Sequence, residues 1–159
     1  WPQRKTGLRR VRPNQGRNLD YPTLTIEEIK DFPIDNFAEE QTHIYLWTIN
    51  KYLRLAFDVL DAWRFKFHAT LVWKKPTGVT PFSFQFVNEF VLFAYRGKFR
   101  IKKKGIATTF EAKVRAHSRK PDVLYKIAEK CSFTPRIDIF SREKREGWDQ
   151  WGDETNFFS

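Results

Sequence analysis

The chain has 159 residues, of which 41% are hydrophobic and 17% aromatic, and it carries a net charge of +10. This composition excludes a disordered segment, and no apolar run approaches the roughly 20 residues of a membrane-spanning helix. The single cysteine, Cys131, excludes an internal disulfide framework. We therefore expect one soluble, cytoplasmic domain with no membrane partner, and the basic charge favours a polyanionic partner.

The first predicted elements are a loop and a short helix. Residues 1–20 are basic, contain prolines and glycines and show no periodicity, so they are predicted to form a loop. Thr25 and Glu28 have the spacing of a capping box, in which each side chain satisfies a backbone donor at the other residue. A short helix is therefore expected to begin after Thr25.

A strand–helix–strand unit is predicted next. The continuous apolar run at residues 43–48 is typical of a strand covered on both faces. Asn50 is placed to cap a helix with three- and four-residue apolar spacing that ends near Trp63. Residues 67–73 form a second apolar run. Such a unit predicts a right-handed crossover that joins a parallel pair of strands.

The second half of the chain continues the alternation. Strands are predicted at residues 90–95, 106–114 and 136–140, and a helix is predicted at residues 121–130, where Pro121 suits the first turn. The pattern predicts an open α/β sheet covered by helices. In such folds, ligands bind at the carboxyl ends of the strands.

Several kinds of chemistry have no support in the sequence. The seven glycines are scattered and form neither a dinucleotide nor a P-loop fingerprint. His43, His68 and His117 lack the spacing of metal ligands, so no metal site is expected. Cys131 has no histidine nearby in the sequence and is expected to be a small buried group.

A series of short segments carries more information than any single residue. They are, in order, 1–2 (WP), 21–25 (YPTLT), 45–53 (YLWTINKYL), 71–75 (LVWKK), 88–89 (NE), 96–98 (RGK), 117–122 (HSRKPD), 139–142 (IFSR) and 147–152 (GWDQWG). In this order and spacing they resemble the N6-adenine methyltransferase family, which unites the catalytic subunit of the mRNA adenosine methyltransferase with many phage and bacterial DNA enzymes. The resemblance implies a Rossmann-like, S-adenosylmethionine-dependent methyltransferase domain with permuted motif order.

The resemblance also implies a catalytic loop. Family members carry Asp-Pro-Pro-Trp followed by a Tyr-Pro-Thr-like segment, which Trp1 and Tyr21 match. We expect the Asp and both prolines to lie upstream, and the absence of methionine leads us to expect a fragment. Trp1 and Tyr21 are then the residues that stack on the target adenine. For Tyr21, a plain loop anchor is an equally open interpretation.

The cofactor segment is implied in the same way. Lys120 would pair with the methionine carboxylate of S-adenosylmethionine, and carboxylates near the end of the chain would accept hydrogen bonds from its ribose. A solvated lysine and tail charges remain the alternative. The implied cofactor-binding residues are Ser118, Lys120, Phe140, Arg142, Asp153 and Glu154.

Three basic clusters are candidates for phosphate contacts, although each could also be an ordinary solvated face. They are Arg9, Arg10 and Arg12 in the first loop, then Lys74 and Lys75, then Lys102, Lys103 and Lys104.

Together these observations predict a single methyltransferase domain, residues 1–159, with a substrate loop at 1–20 and a cofactor segment at 115–159. It would methylate the N6 amine of adenine in nucleic acid, with DNA favoured over RNA by the phage-like spacing, in a bacterial or phage-infected cell. A homodimer and a heterodimer are both compatible with the family. Two alternatives stay open, a non-catalytic relative that supports an active partner and a basic binding module without a cofactor.

Overall fold

The computed structural model describes residues 1, 23–79, 83–115, 119–153, 155–156 and 158. These residues form a mixed α/β fold, so the predicted class is confirmed at that level. The elements in chain order are α1 (Ile26–Lys30), a 3₁₀ turn (Ile34–Asn36), β1 (Thr42–Thr48), a second 3₁₀ turn (Asn50–Tyr52), α2 (Leu53–Ala62), β2 (Lys66–Val79), β3 (Phe86–Arg96), β4 (Thr109–Glu111), α3 (Asp122–Cys131), β5 (Ile137–Ile139) and β6 (Asp149–Trp151).

The main sheet has the strand order β1-β3-β2-β4. β3 is antiparallel to both β1 and β2, and β4 is parallel to β2. β1 and β2 therefore run in the same direction, but they lie on opposite sides of β3. The predicted parallel pair of neighbouring strands is wrong, because β3 returns from β2 and takes the place between them.

The core lies on both faces of β3, whose central residues 91–94 are buried. Leu92 packs on one face with the apolar side of α2, which includes Val59 and Leu60. Val91 packs on the other face with Leu124 of α3. Because successive side chains of a strand point to opposite faces, β3 contributes to two core layers, each covered by a helix.

The helix starts test the capping predictions. The Thr25 main-chain N–H donates to Glu28 Oε2 at 2.7 Å, and the Glu28 N–H donates to Thr25 Oγ1 at 3.2 Å, so the capping box is confirmed. Asn50 does not cap α2 as predicted, because it lies in the 3₁₀ turn that precedes it and α2 begins at Leu53 without a side-chain cap. α3 begins directly after Pro121.

Two strands differ from the predictions. The strand expected at residues 106–114 is reduced to the three residues of β4. β5 does not join the main sheet but pairs in parallel with β6, a strand that no pattern predicted. Among the described residues, no helix is long and apolar enough to cross a membrane.

Candidate functional site

Trp1 lies at the carboxyl end of β1. Its indole Nε1 donates to the main-chain carbonyl of Trp47, and its ring stacks on Tyr52 with centroids 5.8 Å apart and planes inclined by 12°. Tyr52 is buried at the start of α2. Trp1 is therefore held by a hydrogen bond in the ring plane and by one ring face.

A carboxylate with two lysines lies beside this position. Glu89 Oε2 accepts from Lys120 Nζ at 2.7 Å, and Glu89 Oε1 lies 3.4 Å from Lys75 Nζ. Lys120 Nζ is 4.8 Å from the centroid of the Trp47 ring. The Glu89 side chain is only 16% exposed. We call Lys75, Glu89 and Lys120 the lysine–glutamate cluster.

This cluster has an excess of one positive charge, because two ammonium groups share one carboxylate. Lys120, which precedes α3, and Trp1 both contact Trp47, Lys120 at the ring and Trp1 at the main-chain carbonyl. The structure thus places Trp1 and Lys120 on either side of one residue near the carboxyl end of β1, the kind of position at which ligands bind in α/β sheets.

Glu89 was not among the predicted site residues. Its segment contributed to the family resemblance, but its role depends on strand register, which places Glu89 opposite Trp73 and Asn88 opposite Lys74. The one signal in the sequence was a Lys-Lys pair and an Asn-Glu pair on consecutive apolar segments.

Phe140 lies directly after β5, in the left-handed region of backbone conformation at φ +61°. Its ring is 46% exposed and contacts Phe32 and Trp151 at 5.1 and 5.5 Å. The next turn is tightly packed, since a Cβ at Gly152 would lie 2.9 Å from the Ser141 carbonyl oxygen. The close approach of the Gly152 and Ser141 backbones places the exposed residue Asp153 close to the end of β5.

Arg142 lies close to Arg119, the neighbour of Lys120. Both guanidinium groups lie over the ring of Phe158, at 5.0 Å for Arg142 and 5.3 Å for Arg119. Arg119 Nε also donates to Glu143 at 3.0 Å. The segment after β5 is therefore tied to the segment that carries Lys120, which brings these two predicted parts of the cofactor site together.

A second partly buried carboxylate, that of Asp138, links β5 to α3. Tyr125 of α3 donates its hydroxyl proton to Asp138 Oδ2 at 2.8 Å. Burial raises the pKa of Asp138 above its ordinary value, against the opposing effect of the hydrogen bonds from Tyr125 and Ser141. Sequence reasoning did not single out Asp138.

The described basic clusters lie at opposite ends of the sheet. Lys74 Nζ pairs with Glu111 at 2.7 Å, next to the lysine–glutamate cluster. The loop with Lys102, Lys103 and Lys104 is bound instead to the carboxyl end of α3, where the Lys102 N–H donates to the Cys131 carbonyl at 2.9 Å. The two sets therefore do not form one continuous patch.

Some predicted site residues lie outside the described residues, namely Tyr21, Ser118, Glu154, Arg9, Arg10 and Arg12. Among the described residues, no group of three or more His, Cys, Asp or Glu side chains could hold a metal ion. Cys131 is buried, as predicted.

A cleft of about 490 Å³ lies away from Trp1, at the end of α2. Its two arginines, Arg64 and Arg96, both pair with Asp35, at 2.5 and 2.6 Å. Two guanidinium groups share this one carboxylate, and Lys30 and Asp31 also line the cleft.

The model of the MT-A70 family matches residues 5–154, nearly the whole chain. The chain belongs to the MT-A70 family. The family resemblance seen in the short sequence segments is thereby confirmed.

MT-A70 relatives include eukaryotic and bacterial proteins. The chain is 26% identical over 151 residues to an MT-A70-like N(6)-adenosine-methyltransferase of Medicago truncatula, and 28% identical over 134 residues to one of Drosophila melanogaster. It is 24% identical over 139 residues to the type II methyltransferase M.MunI of a Mycoplasma species. These alignments cover 87%, 78% and 85% of this chain, but only 24%, 22% and 60% of the relatives. All three relatives are named methyltransferases, and the chain spans only part of their length.

Proposed function

We propose that this MT-A70 domain transfers a methyl group from S-adenosylmethionine to the exocyclic N6 amine of adenine in nucleic acid, with DNA favoured over RNA, in the cytoplasm of a bacterial or phage-infected cell. Family membership and the names of relatives such as the N(6)-adenosine-methyltransferases support methyl transfer to adenine. The observation that carries the proposal is the convergence of Trp1 and the lysine–glutamate cluster at the carboxyl end of β1. In this proposal the whole chain is one Rossmann-like domain with permuted motif order.

The side chains present fit the groups of S-adenosylmethionine. The lysine–glutamate cluster has one surplus positive charge for the methionine carboxylate, with Lys120 as its donor. The exposed ring of Phe140 offers an apolar face, and Asp153 offers a carboxylate that accepts hydrogen bonds from ribose hydroxyls. Arg142 borders the same segment, and Ser118 and Glu154 complete the proposed set.

When bound, S-adenosylmethionine supplies an electrophilic methyl group. The role of this chain is to position the target amine, because the adenine nitrogen is a weak nucleophile that gains most from orientation and from removal of its proton. Trp1 and Tyr21 would hold the base by stacking. The in-plane bond from Trp1 to Trp47 and the Tyr52 ring beneath it fix the indole before the base arrives.

The test separates cofactor binding from methyl transfer. In calorimetry, Lys120→Ala should weaken binding of S-adenosylhomocysteine by roughly ten- to a hundred-fold, the cost of one charge-assisted hydrogen bond. Lys130→Ala, which removes an exposed charge elsewhere, serves as the control. Equal affinity of both variants and the parent would contradict the placement of the pocket.

Methyl transfer is measured in the natural protein, including whatever precedes Trp1, with radiolabelled S-adenosylmethionine and adenine-containing DNA and RNA oligonucleotides. Label at N6 of adenine supports the proposal. Nucleic-acid binding without cofactor binding or methyl transfer would instead identify a non-catalytic relative that supports an active partner.

A further inference from the structure

The loop between β3 and β4 is strongly basic and contains no acidic residue to balance its charge. Residues 98–104 contain five cations and no acidic residue. In the part of the chain that the structure describes, no carboxylate pairs with any of these cations. Lys74, Lys75, Lys120, Arg119 and Arg145 differ, because each has a carboxylate partner. The unpaired cations are Lys98, Arg100, Lys102, Lys103 and Lys104.

Exposed aromatic rings lie among these cations. Phe99 is 40% exposed and stacks on His68 with centroids 4.2 Å apart and an interplanar angle of 25°. Phe133 is 54% exposed, and Lys102 Nζ lies 5.9 Å from the centroid of its ring. We call residues 98–104 together with His68 and Phe133 the aromatic–basic surface.

The aromatic–basic surface is fixed to the fold. His43 of β1 contacts Phe93 on one side and, through Nδ1, the Ser132 hydroxyl at 2.7 Å on the other. Phe93 in turn contacts Phe99. A continuous set of contacts therefore links Phe99 to Ser132 and its neighbour Phe133, and holds the two exposed rings on one surface.

This surface is distant from the candidate site. Lys120 precedes α3, whereas Cys131 at the other end of α3 holds the basic loop. A ten-residue helix separates its ends by about 14 Å, and the seven residues of β1 separate theirs by about 20 Å. At about 3.4 Å per phosphate, the spacing along one strand of a stacked helix, a strand bound at both places would span on the order of five phosphates.

We propose that the aromatic–basic surface binds a single strand of nucleic acid outside the reaction site and so anchors the substrate. Unpaired cations attract the phosphates, and exposed rings stack on bases irrespective of sequence, which is the combination typical of single-strand binding. The proposal rests on the proposed function, since it assumes a nucleic-acid substrate, but it assigns a separate surface.

The experiment compares labelled oligonucleotides of 4 and 16 nucleotides, as DNA and as RNA, by fluorescence anisotropy in a salt series. Lys103→Ala with Lys104→Ala should weaken binding of the 16-mer and lower the slope of log affinity against log salt by about 1.4, or roughly 0.7 for each lost phosphate contact on a single strand. Phe133→Ala should weaken the 16-mer at least about five-fold without changing that slope. Binding of S-adenosylhomocysteine should not change, and the 4-mer should lose less affinity than the 16-mer, because it is too short to reach this surface and the candidate site together.

The matched control is Lys30→Ala with Lys126→Ala, which removes two lysines on α1 and α3. Equal losses from both double variants would mean that net charge alone acts, and would overturn the proposal. An unchanged 16-mer affinity in the Lys103/Lys104 variant would overturn it as well. An equal loss for a duplex of the same sequence would contradict the stacking role. If the parent binds no oligonucleotide, the proposed function fails along with this surface.

Discussion

At the scale of single residues, the Glu89 carboxylate is the counter-charge of two lysines, Lys75 and Lys120. It separates two ammonium groups, and the side chains of all three residues are less than a third exposed. Glu89→Gln leaves Lys75 and Lys120 close together without a counter-charge. We expect a loss of roughly 1–2 kcal/mol in the free energy of unfolding, less than for a fully buried pair because water reaches these groups.

Urea unfolding measures this loss, with Glu111→Gln as the control. Glu111 pairs with Lys74 at the same 2.7 Å as Glu89 with Lys120, but both of those side chains are more than half exposed. The control should therefore change stability by less than about 0.5 kcal/mol. Similar losses in the two variants would show that burial does not distinguish the two pairs.

The sequence predicted part of this residue-level arrangement. The family resemblance singled out Trp1 for the target base and Lys120 for the cofactor, and both contact Trp47. Glu89 was not foreseen as the partner of Lys120, because the pair is 31 positions apart and depends on how β3 is aligned with its neighbours. Local patterns do not carry register between strands that are not joined by a tight turn.

At the scale of elements, the turn after β3 depends on a glycine. Gly97 has φ +73°, and a Cβ there would lie 2.8 Å from both the Glu40 carbonyl and Gln41 Oε1. The Gln41 side chain already accepts from the Lys98 N–H at 3.0 Å and cannot move without losing that bond. We expect Gly97→Ala to cost roughly 2–4 kcal/mol in the free energy of unfolding.

Gly105→Ala isolates the backbone part of that cost. Gly105 has nearly the same φ, +76°, but nothing lies within 4 Å of its Cβ position. It should cost only about 1 kcal/mol in the same unfolding measurement. Equal costs at both glycines would mean that the contacts with Glu40 and Gln41 relax freely.

Element boundaries followed from the sequence where one local interaction decides them. Thr25 and Glu28 fix the start of α1 within four residues of chain. Asn50 did not act as a cap because the chain makes a 3₁₀ turn first, and the sequence does not distinguish that turn from a first helical turn. β6 was missed because three residues are too short to show a period of two.

At the scale of the whole molecule, two carboxylates with pKa values shifted in opposite directions affect how stability depends on pH. The folded-state pKa of Asp138 is raised by burial above its ordinary value of 3.8, so the folded protein holds this proton more tightly than the unfolded chain does. Its contribution to stability is therefore largest below about pH 4 and falls as the pH rises through the folded pKa. Relative to Asp138→Asn, the parent should lose stability with rising pH by at most about 1.4 kcal/mol per pH unit.

Glu143 should give the opposite sign. The hydrogen bond from Arg119 lowers its pKa below the ordinary 4.5, so its contribution is present above that value and is lost as the pH falls through the folded pKa. Urea unfolding from pH 3 to pH 8 on the parent, Asp138→Asn and Glu143→Gln checks both signs. Difference curves of the same sign would refute the assigned environments.

The position of β3 between β1 and β2 has a consequence for synthesis on the ribosome. The amino-terminal strand of the sheet leaves the exit tunnel well before its hydrogen-bonding neighbour, which is encoded some forty residues later. Nascent β1 must therefore wait with its backbone groups solvated, while β2 and β3 can pair as soon as both have emerged. A translational pause before β3 has left the tunnel would lengthen that wait, and a pause after β3 has emerged would give the sheet time to close.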